Sequence, residues 1–287
     1  RGGTLVVQYQ GYAFEGKGYT PYPFRFTQPH DRVTDENAPV KILKPDYPIF
    51  KFPNSISHVD FNGWFKDRGL YFFNQWDKRY EPMLTCNDPG EDPKEGGLLV
   101  AGYGQGTYLY TGYSFFNQLP SGVPGAFRLF TNILALPEAR ILERIEFLKN
   151  ISLFAILTNE HLDSVARIMF EQWVENGEYI CRQGEEGNEL YIIKRGEVEV
   201  LQKSNGKDQT IFTAKEGACL GELAILGAIT RTASLRAKKD LQLLVIKGEH
   251  FLDLLKKYPD ISIQMLGLMV ERLLHVERRV KNGDHGA

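Results

Sequence analysis

The sequence has few cysteines, little net charge and no long apolar run. Its 287 residues include three cysteines, Cys86, Cys181 and Cys219, whose odd number and wide spacing imply neither a disulfide framework nor a zinc site. The net charge of −2 argues against a broad nucleic-acid footprint and leaves a local basic patch as the alternative. No apolar run approaches the roughly 20 residues of a membrane helix, and no signal-peptide pattern opens the chain. We therefore expect a protein of the reducing cytoplasm that binds neither nucleic acid nor membrane.

Prolines and aromatic residues are scarce in the second half of the chain. Thirteen of the 14 prolines and 26 of the 35 aromatic residues lie at or before Pro137. A chain of this length suits about two domains. We predict a first domain in residues 1–137 and a second in residues 138–287. Because the chain begins at Arg1, directly before a strand pattern and without an initiator Met, we expect it to be the C-terminal part of a larger protein.

The first domain contains three apolar strand patterns and one helix pattern. The strands are predicted at residues 4–8, 97–101 and 107–111, and the helix at residues 125–136. Residues 11–93 separate the first two strands and are dense in Pro, Gly and aromatic residues. This composition predicts irregular β-structure, with a sugar-binding surface as the alternative.

Candidate catalytic and metal-binding residues are sparse in the first domain. Cys86 has no G-x-C-x-G turn around it, so we expect no nucleophilic thiol. The pairs His30-Asp31 and His58-x-Asp60 lack a third ligand at comparable spacing. We interpret them as loop residues and expect no metal.

The second domain begins with helix patterns and continues with short strands. Thr158 is predicted to cap a helix, in which Leu162, Val165 and Met169 recur on one face. Strands follow at residues 179–182, 190–194, 197–201 and 241–246, with turns at Arg195-Gly196 and Asn205-Gly206. This spacing predicts a small antiparallel β-roll.

The segment from Gly217 to Ala237 combines features of a ligand site. Gly221-Glu222-Leu223-Ala224 is predicted to start a short helix after a strand, where unpaired backbone N–H groups favour an anion. Arg231 follows Glu222 by nine residues. Its planar fork of donors suits phosphate oxygens, while a carboxylate accepts hydrogen bonds from sugar hydroxyls. One anion and one sugar together fit a cyclic nucleotide.

These residues resemble the phosphate-binding cassette of the cyclic-nucleotide-binding domain family, which has the pattern F-G-E-L-A, a spacer, and R-T/A-A-T/S. Leu220 replaces the usual Phe. With the upstream run from Gly177 to Val200, the resemblance covers about residues 140–282. It implies a cAMP or cGMP site at Gly221, Glu222, Leu223, Ala224, Arg231, Thr232, Ala233 and Ser234. The alternative is that Glu222 and Arg231 form a structural ion pair in a roll that binds nothing.

The end of the chain carries an amphipathic helix pattern. Pro259 is predicted to stop one helix and Asp260 to cap the next. The apolar stripe of that last helix comprises Ile263, Leu266, Val270, Leu273, Val276 and Val280. Such a stripe either covers the ligand or pairs with a second copy in a homodimer.

A second resemblance concerns residues 1–137. The runs at Gly2, Trp64 and Gly104 look like the C-terminal glutamine-amidotransferase-like region of some bacterial PIG-L family deacetylases, although the His-Pro-Asp-Asp metal run is absent. This resemblance implies a partial α/β domain with a β-rich insertion. We therefore predict an α+β chain that ends in an antiparallel β-roll.

Three classes of function fit these observations to different degrees. The first is a regulatory sensor that binds a cyclic purine mononucleotide without catalysis and signals through its C-terminal helix. The second is a nucleotide-regulated enzyme acting on a carbohydrate or amide, with its catalytic residues upstream. The third, a transcription factor, requires a DNA-reading helix pair, for which the seven residues after Val280 are too few. We predict the first.

Overall fold

The computed structural model describes residues 3–104, 106–204, 207–267, 269–270 and 274. The chain folds as two compact units, an N-terminal unit of residues Arg1–Glu143 and a C-terminal unit of residues Arg144–Ala287. Both helices and strands contribute, so the protein is of mixed α+β class. Among the described residues, no helix is long and apolar enough to cross a membrane.

The N-terminal unit is organised around a four-stranded mixed sheet. In the order of the sheet, its strands are the first, tenth, ninth and seventh of the chain: β1 (Thr4–Gln8), β10 (Gly106–Thr111), β9 (Leu98–Tyr103) and β7 (Glu81–Pro82). β1 and β10 are parallel, whereas the other neighbours are antiparallel. The three longest strands match the three predicted patterns to within a few residues.

The long segment between β1 and β9 forms short strand pairs and 3-10 turns. Three antiparallel pairs lie within it, each with two to four residues a strand: β2 (Phe24–Arg25) with β6 (Gln75–Trp76), β3 (Asp31–Val33) with β5 (Gly69–Phe72), and β4 (Lys41–Ile42) with β8 (Leu84–Thr85). The 3-10 helices are Tyr12–Phe14, Pro48–Phe50 and His58–Phe61. Aromatic-rich sequence with many prolines thus packs as irregular β-structure, as predicted.

Both faces of the mixed sheet are covered by apolar side chains. Successive residues of a strand point to opposite faces, and β9 shows this directly. Leu98 and Val100 belong to one buried cluster, while Leu99 and Ala101 belong to another. The continuous apolar run of this strand is therefore explained by burial on both sides.

Three helices close the N-terminal unit and lead out of it. They are α1 (Phe115–Gln118), α2 (Pro124–Leu134) and α3 (Leu136–Leu148). The single predicted helix over 125–136 was wrong at its end, because α2 stops at Leu134. Pro137 lies in the first turn of α3, where the missing N–H of proline costs no hydrogen bond.

The C-terminal unit is built on two four-stranded antiparallel sheets. One contains β11 (Phe170–Val174), β18 (Leu241–Lys247), β13 (Glu189–Arg195) and β16 (Cys219–Leu220), in that order. The other contains β12 (Tyr179–Cys181), β17 (Ser234–Ala237), β14 (Val198–Ser204) and β15 (Lys207–Ala214). Gly196 turns the β13–β14 connection with a φ of 104°, as its position predicted, and Asn205-Gly206 lies outside the described residues.

The two sheets share one apolar core. Tyr191, Leu243 and Val245 enter it from the first sheet, and Val200 and Leu235 enter it from the second. The core lies beside the segment between β16 and β17, which contains the predicted cassette. This β-roll therefore fixes both ends of that segment.

Three helices accompany the roll: α4 (Asn159–Ile168), α5 (Glu222–Leu226) and α6 (Gly248–Lys257). Thr158 caps α4 by accepting a hydrogen bond from the His161 N–H at 3.3 Å. Residues 259–267 form a further helix. The prediction that Asp260 caps this helix was wrong, because the helix already includes Pro259, which is tolerated in a first turn.

The apolar stripe of the last helix is only partly described. Ile263, Leu266 and Val270 are more than half exposed, while Ile261 and Met265 are buried. The remaining members predicted for the stripe, Leu273, Val276 and Val280, lie outside the described residues.

Candidate functional site

Arg231 is a buried cation held by main-chain oxygens. Its side chain is 4% exposed. One terminal nitrogen, Nη1, donates to the Gly221 carbonyl at 3.0 Å, and Nη2 donates to the Glu189 carbonyl at 2.9 Å. The Arg231 main chain is fixed as well, since its N–H donates to the Glu185 carbonyl and its carbonyl accepts from the Gly184 N–H. Both the position and the direction of the guanidinium are thus set by the fold.

The third nitrogen of this guanidinium has no acceptor among the described residues. Arg231 Nε is buried and makes no hydrogen bond there. A guanidinium has only donors, and a buried donor without an acceptor costs about 1–3 kcal/mol. The positive charge and the remaining N–H group together suit an anion with several oxygens, such as a phosphate.

Two glycines leave the space that the guanidinium occupies. A Cβ on Gly187 would lie 2.3 Å from Arg231 Nε, and a Cβ on Gly221 would lie 2.4 Å from Arg231 Nη1. Gly221 also has a φ of 91°, a left-handed conformation that other residues rarely adopt. Glycine is therefore required at both positions if Arg231 is to keep its place. Gly221 was predicted from the sequence and Gly187 was not, although the run G-E-E-G was a signal for it.

Glu222 begins the short helix α5 directly after Gly221. Its side chain is 2% exposed. Arg231 donates a hydrogen bond to the carbonyl of Gly221, the residue directly before Glu222. The structure thus brings Arg231 and Glu222 to the same stretch of backbone. A buried carboxylate can accept hydrogen bonds from hydroxyl groups.

α5 contributes main-chain donors but only a small dipole. The helix has five residues, and Gly221 at its cap offers no side chain to its first N–H groups. Leu223 and Ala224 lie in that first turn, whose N–H groups have no partner within a helix. Because the macrodipole sums over aligned peptides, a helix of this length adds little charge. The Arg231 guanidinium accordingly provides most of the attraction for an anion.

The three residues after Arg231 have different environments. Thr232 is exposed and Ala233 is half-buried. Ser234 is 3% exposed, and its hydroxyl accepts a hydrogen bond from the Gln183 N–H at 2.9 Å. The Ser234 oxygen thus ties β17 to the loop that follows β12, and the Ser234 O–H can still donate a hydrogen bond.

Behind Arg231 lies a polar network that the sequence did not predict. The Tyr191 hydroxyl lies 3.4 Å from Arg231 Nη2 and donates to Glu189 Oε2 at 2.8 Å. Lys247 forms an ion pair with the same carboxylate. Burial raises the pKa of Glu189, but hydrogen bonds from Lys247 and Tyr191 outweigh burial and hold this pKa below its ordinary value of 4.5. The network therefore keeps an ionised carboxylate beside the guanidinium.

The other residues singled out in the sequence have structural surroundings. Cys86 is buried, its sulfur lies 3.2 Å from the Tyr113 hydroxyl, and burial raises the pKa of the thiol to about 11. Such a thiol is not a nucleophile at neutral pH. His30 stacks on Tyr71 with ring centroids 3.9 Å apart, and Asp60 accepts from the Ser57 N–H at 2.8 Å. Within the described part of the chain, no group of three potential ligands could hold a metal ion.

Known proteins show similarity to part of this chain. The family model of the cyclic nucleotide-binding domain matches residues 171–258. The cGMP-dependent protein kinase egl-4 of Caenorhabditis briggsae is 34% identical over 114 residues, which are 39% of this chain and 15% of that protein. The cGMP-dependent protein kinase 2 of Mus musculus is 34% identical over 127 residues, 43% of this chain and 17% of that protein.

A solved structure gives a likeness of similar extent. The catabolite activator protein of Thermus thermophilus aligns with a TM-score of 0.44 and 25% identity, over 46% of this chain and 63% of that one. The chain spans less than one-fifth of the length of the two kinases. The family match begins in β11 and ends just after α6, so it contains Arg231 and the residues that hold it. This chain therefore carries, in residues 171–258, a domain of the cyclic nucleotide-binding family.

Proposed function

We propose that the C-terminal unit binds a cyclic purine mononucleotide and acts as a sensor without catalysing a reaction. Arg231 binds the cyclic phosphate, and Glu222 accepts hydrogen bonds from the ribose. The observation that carries this proposal is the buried Arg231 guanidinium, whose Nε has no acceptor among the described residues. Further hydrogen bonds to the nucleotide come from the main-chain N–H groups of Leu223, Ala224 and Ala233 and from the hydroxyls of Thr232 and Ser234. Gly221 has no side chain, so the nucleotide can approach the backbone closely there.

The ion-pair alternative explains the geometry less well. In its two short hydrogen bonds, Arg231 directs its terminal nitrogens at main-chain carbonyls and not at the Glu222 carboxylate. A purely structural role would be met by a neutral donor at lower desolvation cost. The kinases that resemble this chain carry cGMP in their names, which supports a nucleotide ligand of this class.

The choice between cAMP and cGMP depends on Thr232 and on contacts to the purine edge. Thr232 is exposed, so its hydroxyl is accessible to a ligand. One hydrogen bond contributes about 0.5–1.5 kcal/mol, which shifts a preference by roughly tenfold at most. We therefore propose that cAMP binds at least as well as cGMP.

The last helix is proposed to transmit the signal. Ile263, Leu266 and Val270 form an exposed apolar stripe next to the roll. Exposed apolar stripes of this kind mark surfaces that another element or molecule covers. We propose that this stripe covers the bound nucleotide or pairs with a second copy, and that binding changes its contacts.

For residues 1–137, we propose the last part of an amidotransferase-like α/β domain, and for residues 138–287 the sensor domain. The parallel pairing of β1 with β10 supports the first assignment, since parallel strands are characteristic of α/β folds.

Calorimetric titration of the 287-residue chain with cAMP and with cGMP tests the proposed function. Wild type is expected to bind at least one nucleotide, and Arg231→Ala is expected to weaken binding by more than about 30-fold, equivalent to about 2 kcal/mol. Arg236→Ala is the matched control, because Arg236 lies five residues away and pairs with Glu199. Absence of heat and of a thermal shift with both nucleotides at millimolar concentration would refute the proposal. An unchanged affinity in Arg231→Ala would place the phosphate elsewhere.

A further inference from the structure

A cleft of about 530 Å³ lies in the N-terminal unit, where β1 and β10 begin. Thr4 of β1 and Thr107 of β10 are register partners there, and the segment that contains Tyr19 and Thr20 forms another wall. Binding sites for small molecules commonly have volumes of roughly 300–1,000 Å³. The cleft therefore has the size of a site for a ligand of one or two sugar rings.

The described residues that line this cleft carry no charge. They are glycine, proline, leucine, threonine and tyrosine, with no Lys, Arg, His, Asp or Glu among them. A phosphorylated or carboxylated ligand would lose water on entry without meeting an opposite charge, which is unfavourable. The described lining residues therefore favour a neutral ligand.

Two exposed tyrosine rings line the cleft, and each is supported by another ring. Tyr19 is 63% exposed and Tyr103 is 62% exposed. The ring centroids of Tyr19 and Phe14 are 5.8 Å apart, and those of Tyr103 and Tyr22 are 6.1 Å apart. The Tyr22 hydroxyl also donates to the Gly102 carbonyl at 2.7 Å, which fixes the second pair. Rigid tyrosine rings supply large contact areas at a small cost in conformational entropy. Such rings suit the C–H faces of a pyranose.

Tyr108 adds a buried donor to the same cleft. Its side chain is 3% exposed, and its hydroxyl has no hydrogen-bond partner in the part of the chain that the structure describes. Burial raises the pKa of Tyr108, so the phenol stays protonated and can donate at neutral pH. A buried hydroxyl of this kind is unfavourable unless an acceptor reaches it. Thr4, Thr20 and Thr107 provide further hydroxyls nearby.

We propose that this cleft binds a neutral saccharide, through ring contacts with Tyr19 and Tyr103 and a hydrogen bond from Tyr108. An entirely apolar ligand would leave the Tyr108 hydroxyl without an acceptor. A charged ligand would find no side chain of opposite charge among the described lining residues. The site lies in the N-terminal unit and shares no residue with the proposed nucleotide site.

Saturation-transfer NMR of the 287-residue chain tests this proposal. The neutral probes are glucose, galactose, N-acetylglucosamine, maltose and cellobiose at millimolar concentration, and glucose 6-phosphate and glucuronate are their charged counterparts. At least one neutral sugar is expected to show transfer, and the charged sugars are expected to show less. No transfer from any neutral probe, or equal transfer from the charged ones, would overturn the proposal.

Variants of the lining residues separate specific binding from adventitious contact. Tyr19→Ala and Tyr103→Ala are each expected to weaken the binding of a responsive sugar by about tenfold, a typical effect of removing an aromatic contact. Phe127→Ala is the matched control, because Phe127 is 48% exposed on α2 outside the cleft. Equal losses in Phe127→Ala and Tyr19→Ala would contradict the assignment.

Tyr108→Phe gives two readouts of opposite sign. Removal of a buried hydroxyl without a partner is expected to raise the melting temperature of the free protein. The same change is expected to weaken sugar binding about three- to tenfold, because one hydrogen bond is lost. Unchanged sugar affinity would show that the hydroxyl does not contact the ligand. Arg231→Ala should leave sugar binding intact, so this proposal and the proposed nucleotide site can fail separately.

Discussion

Gly187→Ala is the sharpest test of how the proposed nucleotide site is built. The substitution adds one methyl group without changing charge, and Gly187 does not have a positive φ that alanine would resist. The new Cβ would lie 2.3 Å from Arg231 Nε, 2.6 Å from Cδ and 2.7 Å from Cζ. Carbon atoms in contact prefer separations of about 3.5–4.0 Å, so Cδ and Cζ, and the guanidinium with them, must move by about 0.8–0.9 Å or more.

That displacement breaks contacts which set the direction of the guanidinium. The hydrogen bonds from Nη1 to the Gly221 carbonyl and from Nη2 to the Glu189 carbonyl are 3.0 and 2.9 Å long, and neither survives a shift of this size. A hydrogen bond to a charged group contributes about 1.5–3 kcal/mol. If the phosphate loses one such bond, nucleotide affinity falls by about 10- to 150-fold.

The measurement is calorimetric titration of a double-mutant cycle. Gly187→Ala should weaken nucleotide binding strongly when Arg231 is present and hardly at all in an Arg231→Ala background, because the methyl group acts through the guanidinium. Thermal unfolding of each variant provides the control for folding. Equal effects in both backgrounds, or full affinity in Gly187→Ala, would refute this arrangement of Gly187 and Arg231.

Three further predictions concern ligand preference, the last helix and acid stability. Thr232→Ala is expected to change the ratio of cAMP to cGMP affinity by less than about tenfold in competition titrations, and loss of a strong cGMP preference would contradict this. Leu266→Glu is expected to reduce the mass measured by light scattering if the stripe pairs two copies, or to weaken nucleotide binding if it forms a lid. If neither changes, both roles are wrong. Because the pKa of Glu189 is lowered by Lys247 and Tyr191 in the fold, its stabilisation is present above about pH 4.5 and is lost as the pH falls further. Urea unfolding should show a smaller loss of stability in acid for Glu189→Gln than for wild type.

The prediction of the cassette rests on a local signal. Gly221, Glu222 and Arg231 lie within eleven residues, and the glycine before a short helix has a physical meaning on its own. The roll could also be predicted, since strands that alternate with turn residues indicate antiparallel sheets. The roles of the eight site residues stay predictions until a ligand is measured.

The residues that hold Arg231 could not be predicted, because they are brought to it by tertiary structure. Glu189 and Tyr191 lie about forty residues earlier in the chain, on β13, and reach the guanidinium only after the sheets have formed. The register of β13 against β18 places Glu189 opposite Lys247, and no local pattern determines that register. Neither residue differs from an ordinary strand residue in the sequence.

These tertiary contacts connect the proposed phosphate position to the start of α6. Arg231 donates to the carbonyl of Glu189, and the carboxylate of Glu189 pairs with Lys247, the residue that precedes α6. The Gly248 N–H donates to the Asn188 carbonyl at 2.8 Å, so the chain before Glu189 is tied to the same helix. An anion that attracts Arg231 therefore acts on backbone that is bonded to the first residues of α6. Residues 259–267 follow α6 directly. A shift of α6 on nucleotide binding would therefore alter the contacts of the exposed stripe, provided that the free and the bound protein differ in the hydrogen bonds at the start of α6.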